Sequence, residues 1–177
     1  MTAIRRVVVG VAGTPGSLLA LRYGADLARA HQAGLVAVLA WLPPGGDYAD
    51  RRHPSAALRE VWRESAKQRL RSAIGLALGG NPPDLQFEAR TLRGEPGAIL
   101  VGVASQAGDV LVVGAGRRSW PGRVLSCRVS RYCLAHAGCP VLAIPPSQLA
   151  KTGRRLLGWA SRHRGLNVSV LNLPTAR

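Results

Sequence analysis

The chain reads Leu-Val-Val-Gly-Ala-Gly-Arg-Arg at residues 111–118 and, after a loop, Val-Ser-Arg-Tyr-Cys at residues 129–133. An open α/β sheet builds a phosphate cradle from such parts, because glycines admit a close backbone approach and a helix N-terminus offers free N–H groups. We predict that this helix starts at Cys127 and Arg128, where a small Gly-Ser pair would suit a phosphate better. The segment therefore indicates a nucleotide site and also carries two residues that disfavour it.

Alternating strands and helices are indicated along most of the chain. Residues 5–11 are rich in valine without polar alternation, as in a strand buried on both faces of a parallel sheet. Thr14 and Pro15 fit the start of the following helix, and Gly34 is predicted to end it. We predict further strands at 35–40, 84–92 (a sheet edge), 109–114 and 140–144, and further helices opened by Pro54 and Pro96 and over 128–137.

This succession predicts an α/β fold with a doubly wound, five-stranded parallel sheet and helices on both faces. Right-handed crossovers leave two common strand orders that fit, 2-1-3-4-5 and 3-2-1-4-5. In the second order the sheet reverses between the first and fourth strands. Those strands are followed by the glycine turns Gly10–Gly16 and Gly114–Gly122. Since ligands in open α/β sheets bind at such a switch point, two signals converge on one small-molecule site.

Length and charge suggest one domain with an appendage. We place the α/β domain at residues 1–146, because the apolar pattern stops after Pro145-Pro146. The net charge is +15, and residues 147–177 hold 6 basic and no acidic side chains, so we expect a basic, loosely ordered extension there. Such a charge favours an anionic ligand or an acidic partner. No apolar run is long enough to cross a bilayer and no signal peptide is evident, so we expect a cytoplasmic protein.

The three cysteines do not indicate a metal or a disulfide framework. Cys127, Cys133 and Cys139 lie six residues apart, which matches no zinc-binding spacing, and their number is odd. We interpret them as small buried residues and expect no metal site.

Four stretches together resemble the universal stress protein family, over about residues 3–146. They are Val7–Val11, the turn Val112–Gly116, the helix Val129–His136 and the ending Cys139–Ala143. The resemblance implies the 3-2-1-4-5 sheet and homodimers that pair through the last strand. In one branch of the family it also implies ATP binding at the switch point.

That ATP-binding branch carries the pattern G-x-x-G, nine residues, then G-(S/T). Carried over position by position, its first glycine is Gly114 and its second falls on Arg117, beside Gly116. The closing pair falls on Cys127 and Arg128. A cysteine adds a Cβ where phosphate oxygens should touch the backbone, and an arginine brings bulk and positive charge in place of a hydroxyl.

Two further positions of that branch follow the first two strands. Its nucleotide-contacting aspartate corresponds to Ala12, and its adenine-side position corresponds to Trp41, whose ring could stack on a base. The complete candidate site is Gly10, Ala12, Trp41, Gly114, Gly116, Arg117, Cys127, Arg128, Val129 and Ser130. We expect a degenerate crevice with weak or no ATP binding, in which ATP remains a possible ligand and an anion a residual one. The alternatives are a functional ATP-binding switch, and a dimeric scaffold that engages an acidic partner through the basic loop or tail.

Other function classes fit less well. A dehydrogenase motif would need a third glycine where the chain has Ser119, and a P-loop would need a Gly-Lys-Ser/Thr triplet. No histidine has a context that indicates a catalytic base, and Asp109, which we take to lie beside the glycine turn, fits a hydrogen-bonded strand start. The aromatic residues are too dispersed for a nucleic-acid surface. We therefore expect a non-enzymatic regulatory domain of the stress response with no specific nucleic-acid partner.

Overall fold

The computed structural model describes residues 3–46, 52, 54–115 and 125–145, with side chains from Arg128 onward in the last range. Its elements in chain order are β1 (Arg6–Gly10), α1 (Pro15–His31), β2 (Gly34–Trp41), α2 (Ala56–Leu78), β3 (Phe87–Arg93), α3 (Pro96–Val103), β4 (Asp109–Gly114), α4 (Leu125–His136) and β5 (Val141–Ile144). The expected extension at residues 147–177 lies outside the described residues. Within the described ranges, no helix is both long and apolar enough to cross a membrane.

The five strands form one parallel sheet with the order β3-β2-β1-β4-β5. This confirms the predicted fold class and decides between the two strand orders that the sequence left open. β1 lies at the centre, with β2 on one side and β4 on the other. Because β1 is covered on both faces, an unbroken valine run suits it better than an alternating pattern would.

The sheet separates two apolar layers, which are both built on β1. Val7 and Val9 pack into the layer that α1 and α2 cover, whereas Val8 packs into the layer of α3 and α4, with Leu100 and Cys133. All five of these side chains are buried. The prediction of small buried cysteines is therefore confirmed for Cys133, but it is wrong for Cys139, which is only partly buried.

The start of α1 is confirmed, but its predicted end is wrong. Thr14 caps the helix and forms a capping box with Ser17, and Pro15 is its first residue. The helix ends at His31, its C-cap Gln32 takes a left-handed conformation (φ 51°), and Gly34 instead begins β2. A non-glycine residue in this conformation is uncommon, so the residue types do not indicate this helix end.

The apolar spacing of α2 predicts one buried face, and the structure confirms it except at Leu58 and Val61; the predicted residues are Leu58, Val61, Trp62, Leu70, Ile74 and Leu78. Ser55 rather than Pro54 marks the start, since its hydroxyl accepts the N–H of Leu58. Gly79, with φ 76°, caps the end of the helix, where the Gly79-Gly80 pair in the sequence predicts that it stops. Leu58 and Val61, which we expected on the buried face, are 50% and 62% exposed. The helix buries its later residues Ala66, Leu70, Ala73 and Ile74.

The predicted start of α4 is also wrong. The helix begins at Leu125, so Cys127 and Arg128 are its third and fourth residues and not its first. The apolar periodicity that we used begins only at Val129, one turn inside the helix, and therefore could not mark the start. The bounds of the strands differ from prediction by up to three residues, with β3 beginning at Phe87 rather than at residue 84.

The amino ends of β1 and β4 are joined by an ion pair whose carboxylate is buried and whose guanidinium is partly buried. Asp109 accepts two hydrogen bonds from the guanidinium of Arg6 and one from the backbone N–H of Gln106. Its predicted role in a hydrogen-bonded corner is confirmed. The corner lies at the amino end of β4, however, and not beside the glycine turn, which follows the carboxyl end.

Candidate functional site

The sheet parts between β1 and β4 at the carboxyl ends of these strands. Their pairing stops at Val9 and Val112. Beyond that point β1 follows β2, with the N–H of Val11 donating to the carbonyl of Val38 at 2.8 Å. The backbone of β1 thus leaves β4 and opens one wall of a crevice.

The other wall follows β5. Gly114 pairs with Ile144, and the N–H of Ala115 donates to the carbonyl of Ile144 at 2.7 Å. Because both central strands turn to their outer neighbours, a crevice opens at the switch point of the sheet. The main sequence prediction, that the two glycine-lined strand ends lie side by side, is confirmed.

Gly114 lies directly against the first turn of α1. A Cβ at this position would lie 3.0 Å from the carbonyl carbon and oxygen of Gly16 and 3.3 Å from the nitrogen of Ser17. These are backbone atoms, which cannot move aside without shifting the helix. The packing of β4 on α1 therefore favours a glycine at this position, whether or not a ligand does.

A side chain at Gly10 would also meet close neighbours, here on the opposite face of the sheet. A Cβ there would lie 2.8 Å from Cδ1 of Leu100 and 3.4 Å from Cγ1 of Val113. The close neighbours are side chains of the core, one of them from α3. The two glycines of the candidate site that the structure describes, Gly10 and Gly114, thus have packing partners within the protein.

The loop between β1 and α1 is closed by the hydroxyl of Ser17. This oxygen accepts the N–H of Ala12 at 3.2 Å and the N–H of Thr14 at 3.0 Å, and it donates to the carbonyl of Thr14 at 2.9 Å. Ser17 is buried. Two N–H groups at the start of α1 are therefore already bonded inside the protein.

Ser17 was not among the predicted site residues. Its position three residues after Thr14 is the spacing of a capping box, which the sequence does show. The additional bond to Ala12 depends on the curvature of the loop, and nothing in the residue types indicates it.

Trp41 is the last residue of β2 and lies at the same edge of the sheet. Its side chain is only 7% exposed and packs into the apolar layer under α1 and α2. Its carbonyl accepts the N–H of Gly94 at 2.9 Å. The indole therefore contributes to the core, and most of its surface is covered.

The candidate residues of α4 differ in burial. Arg128 is exposed, Val129 packs against the layer shared with α3, and Ser130 is buried. Gly116, Arg117 and the side chain of Cys127 lie outside the described residues. The structure thus places Gly10, Ala12, Trp41 and Gly114 along one edge of the sheet.

The buried carboxyl of Asp109 lies at the edge of the sheet opposite this crevice. Burial raises the pKa values of the thiols of Cys133, which is buried, and of Cys139, which is partly buried. In the described ranges, no three His, Cys, Asp or Glu residues are grouped so as to hold a metal ion. A ligand in the described crevice would contact backbone atoms, the N-terminus of a helix and apolar side chains.

Comparison with known sequences agrees with this geometry. The sequence model of the Universal stress protein family matches residues 3–145. The Universal stress protein Rv2623 of Mycobacterium tuberculosis (strain H37Rv) is 28% identical over 141 residues, which cover 78% of this chain and 46% of that protein. The chain thus spans about half the length of this curated relative.

Solved structures share the fold over nearly their whole length. A universal stress protein in complex with cAMP has a TM-score of 0.62 and 27% identity, and the match covers 82% of this chain and 100% of that one. The universal stress protein UspA from Lactobacillus plantarum has a TM-score of 0.60 and 22% identity, with coverage of 81% and 99%. With a five-stranded sheet that parts between β1 and β4, and with a family match over residues 3–145, the chain belongs to the universal stress protein family.

Proposed function

We propose that this chain is a non-enzymatic, cytoplasmic regulatory domain of the stress response, whose nucleotide crevice is degenerate and binds ATP weakly or not at all. One observation carries the proposal. The hydroxyl of Ser17 already occupies the N–H groups of Ala12 and Thr14 at the edge of the crevice. An anion that approached the start of α1 would have to displace this buried hydroxyl from both donors.

Nucleotides remain the natural ligand class to test. The related structure with 27% identity is in complex with cAMP. In the fold that the two proteins share, the switch point lies where β1 and β4 of this chain separate. ATP is therefore a possible ligand. The departures of this chain from the ATP-binding pattern argue for low affinity.

Three positions of the ATP-binding pattern that lie in the described structure support low affinity. Ala12 stands where the ATP-binding branch has an aspartate, so that a polar contact to the nucleotide is missing. Trp41 is packed into the core and cannot stack on a base without leaving it. Arg128 is an exposed side chain within α4 rather than a small hydroxyl residue.

Calorimetric titration of the full chain with ATP and Mg²⁺ tests the proposal. We expect a dissociation constant no tighter than about 1 mM, which corresponds to about −4 kcal/mol of binding free energy. Parallel titrations with cAMP and with inorganic phosphate separate a nucleotide site from a simple anion site. Micromolar affinity for ATP would refute the degenerate crevice and establish the functional ATP-binding switch.

A restored variant tests whether the named positions are responsible. The triple change Ala12→Asp, Cys127→Gly and Arg128→Ser returns three positions to the pattern of the ATP-binding branch. We expect ATP affinity to rise by about tenfold or more, which is about 1.4 kcal/mol. The change Ala135→Ser, at an exposed position of the same helix, is the matched control and should leave affinity unchanged. An unchanged triple variant would mean that these positions do not limit binding.

We also propose that the chain forms a homodimer through β5. This strand is at the edge of the described sheet, and Leu142 exposes 40% of its surface there. Light scattering of the full chain should give twice the monomer mass, and Leu142→Asp should halve it. Leu76→Asp, which changes a leucine on α2 that is even more exposed (68%), should leave the mass unchanged. A monomeric wild-type chain would contradict the proposal.

A dimeric scaffold that engages an acidic partner is the second candidate, since the chain carries a net charge of +15. Basic residues without a neighbouring acidic residue occur in the loop at 117–123, which holds three arginines, and in the tail at 147–177, which holds 6 basic and no acidic side chains. Deletion of residues 147–177 distinguishes the two regions. If the shortened chain still captures an acidic partner, the loop binds it. If capture is lost, the tail binds it.

A further inference from the structure

A second concave site lies two strands away from the crevice, between α2 and the edge strand β3. This groove has a volume of about 400 Å³, which is within the range of ligand-binding clefts. Ala89 and Thr91 form its floor, and Lys67 and Arg71 stand on its helical side. We name it the β3 groove.

The β3 groove stays open because a glycine faces it. Gly75 lies inside α2, and a Cβ built on it meets no atom within 4 Å. A glycine in the interior of a helix costs about 1 kcal/mol relative to alanine. No packing contact in the described structure explains why the helix has a glycine at position 75 despite this loss of stability. Local losses of stability of this kind are typical of functional positions.

The strand beside the groove can accept another strand. All seven residues of β3 pair with β2, from Leu35 with Phe87 to Trp41 with Arg93. Within the described residues, no strand lies on the other side of β3. An exposed edge of this length is a template to which an extended peptide adds through main-chain hydrogen bonds.

The groove also has a charge preference. Lys67 and Arg71 share one carboxylate of the described structure, that of Glu64, at 3.0 Å from Nζ and 3.3 Å from Nη1. Both cations remain partly exposed, Arg71 by 64% of its side chain. One carboxylate for two cations leaves a net positive site.

The spacing of the two cations matches that of an extended acidic peptide. Residues four apart on a helix are separated by about 6 Å along its axis. Alternate residues of a strand point to the same face and are separated by about 6.6 Å. Carboxylates at alternate positions of an added strand would therefore meet Lys67 and Arg71 together.

We propose that the β3 groove binds an acidic, extended segment of a partner protein, which adds to β3 as a sixth strand and places alternate carboxylates on Lys67 and Arg71. A second copy of β3 fits less well, because its residues on the α2 side are Ala89, Thr91 and Arg93. The tail of this chain fits less well too, since residues 147–177 contain no acidic side chain.

Fluorescence anisotropy with a labelled octapeptide of alternating glutamate and valine tests the proposal on the full chain. We expect saturable binding that weakens as salt is added. The same peptide with lysine in place of glutamate should not bind. A glutamate–valine peptide that is N-methylated at alternate residues, and so cannot pair along β3, should bind at least about tenfold more weakly.

Matched variants locate the binding. Gly75→Leu fills the groove and adds helix propensity, so it should abolish binding while the folded state is retained or stabilised. Gly102→Leu is its control, because a Cβ at that glycine of α3 also meets no atom within 4 Å. The double change Lys67→Glu and Arg71→Glu should abolish binding, whereas Arg63→Glu, elsewhere on α2, should weaken it less than about twofold.

Several results would overturn the proposal. They are the absence of saturable binding by the glutamate–valine peptide, binding that survives Gly75→Leu, and equal binding of the N-methylated peptide. Competition by millimolar phosphate that fully displaces the peptide would instead assign the groove to small anions. If light scattering shows a mass above that of the monomer, and if Gly75→Leu abolishes this increase, the β3 groove would be assigned to a second copy of this chain.

Discussion

Arg6 and Asp109 are joined by two hydrogen bonds across 103 residues of sequence, from Nε to Oδ1 at 2.9 Å and from Nη2 to Oδ2 at 2.7 Å. The same Nη2 also donates to the carbonyl of Val103, at the end of α3. One guanidinium thus connects β1, β4 and α3 at the amino edge of the sheet. This is the edge opposite the crevice.

Removal of the Asp109 charge should destabilise the fold. In Asp109→Asn the guanidinium of Arg6 keeps its charge in a site that is 18% exposed, without its carboxylate. Because an uncompensated charge in such a site is costly, we expect a loss of about 2–3 kcal/mol in the free energy of unfolding, measured with urea. The control is Asp26→Asn, whose exposed pair with Arg29 should contribute about 0.5 kcal/mol or less. Equal losses in the two variants would contradict the role of the pair between Arg6 and Asp109.

The contribution of Asp109 should also depend on pH. Burial tends to raise the pKa of this carboxyl, but the hydrogen bonds from Arg6 and from the N–H of Gln106, with the charge of Arg6, lower it below its ordinary value of 3.8. A carboxyl whose pKa is lower in the folded state stabilises the fold above its unfolded pKa and loses this effect as the pH falls through the folded value. The difference in unfolding free energy between wild type and Asp109→Asn should therefore stay constant from pH 7 to about pH 5 and shrink below about pH 4. A difference that does not change with pH would exclude ionisation as its source.

Substitution of Gly114 should be costly even without a ligand. In Gly114→Ala the new methyl group would lie 3.0 Å from backbone atoms of Gly16, so α1 or β4 must shift. We expect a loss of about 2 kcal/mol by urea unfolding. Gly10→Ala should cost less, because its nearest contact is the end of the flexible Leu100 side chain. Gly16→Ala is the control, since its Cβ would meet no atom within 4 Å, and it should be neutral or stabilising by a few tenths of a kcal/mol.

Loss of the Ser17 hydroxyl should loosen the loop that borders the crevice. Ser17→Ala removes the acceptor for the N–H groups of Ala12 and Thr14. We expect a loss of about 1–2 kcal/mol, together with faster hydrogen exchange of these two amides. Ser65→Ala, at an exposed position of α2, should change the unfolding free energy by less than about 0.5 kcal/mol. Slow exchange of the Ala12 amide in the Ser17→Ala protein would show that another group holds it.

The fold was largely predictable because its signals are local. The valines of β1 and the run Leu111–Val113 of β4 are contiguous apolar segments, and their burial on both sides is visible in the sequence. The strand order has no local signal in the sequence. Two orders fitted the residues, and only the family resemblance favoured one of them. The end of α1 was predicted wrongly because Gln32 takes a conformation that its residue type does not favour. The start of α4 was predicted wrongly because Leu125 precedes the apolar periodicity.

The candidate site was predictable in position but less so in detail. The sequence placed Gly10 and Gly114 at the switch point, where the structure has them. It could not show that Gly114 contacts Gly16, or that Gly10 contacts Leu100, since each contact joins segments distant in sequence. A glycine kept for a ligand and a glycine kept for packing look the same until the neighbours are known.

The central position of β1 has a consequence for folding. Its partner β4 follows about a hundred residues later, so the edge formed by Val7, Val8 and Val9 stays open while the intervening chain is synthesised. Contacts of such long range slow folding, and an open apolar edge invites association between incomplete chains. A chain that stops before β4 should therefore aggregate, and refolding of the full chain should be limited by the pairing of β4 with β1.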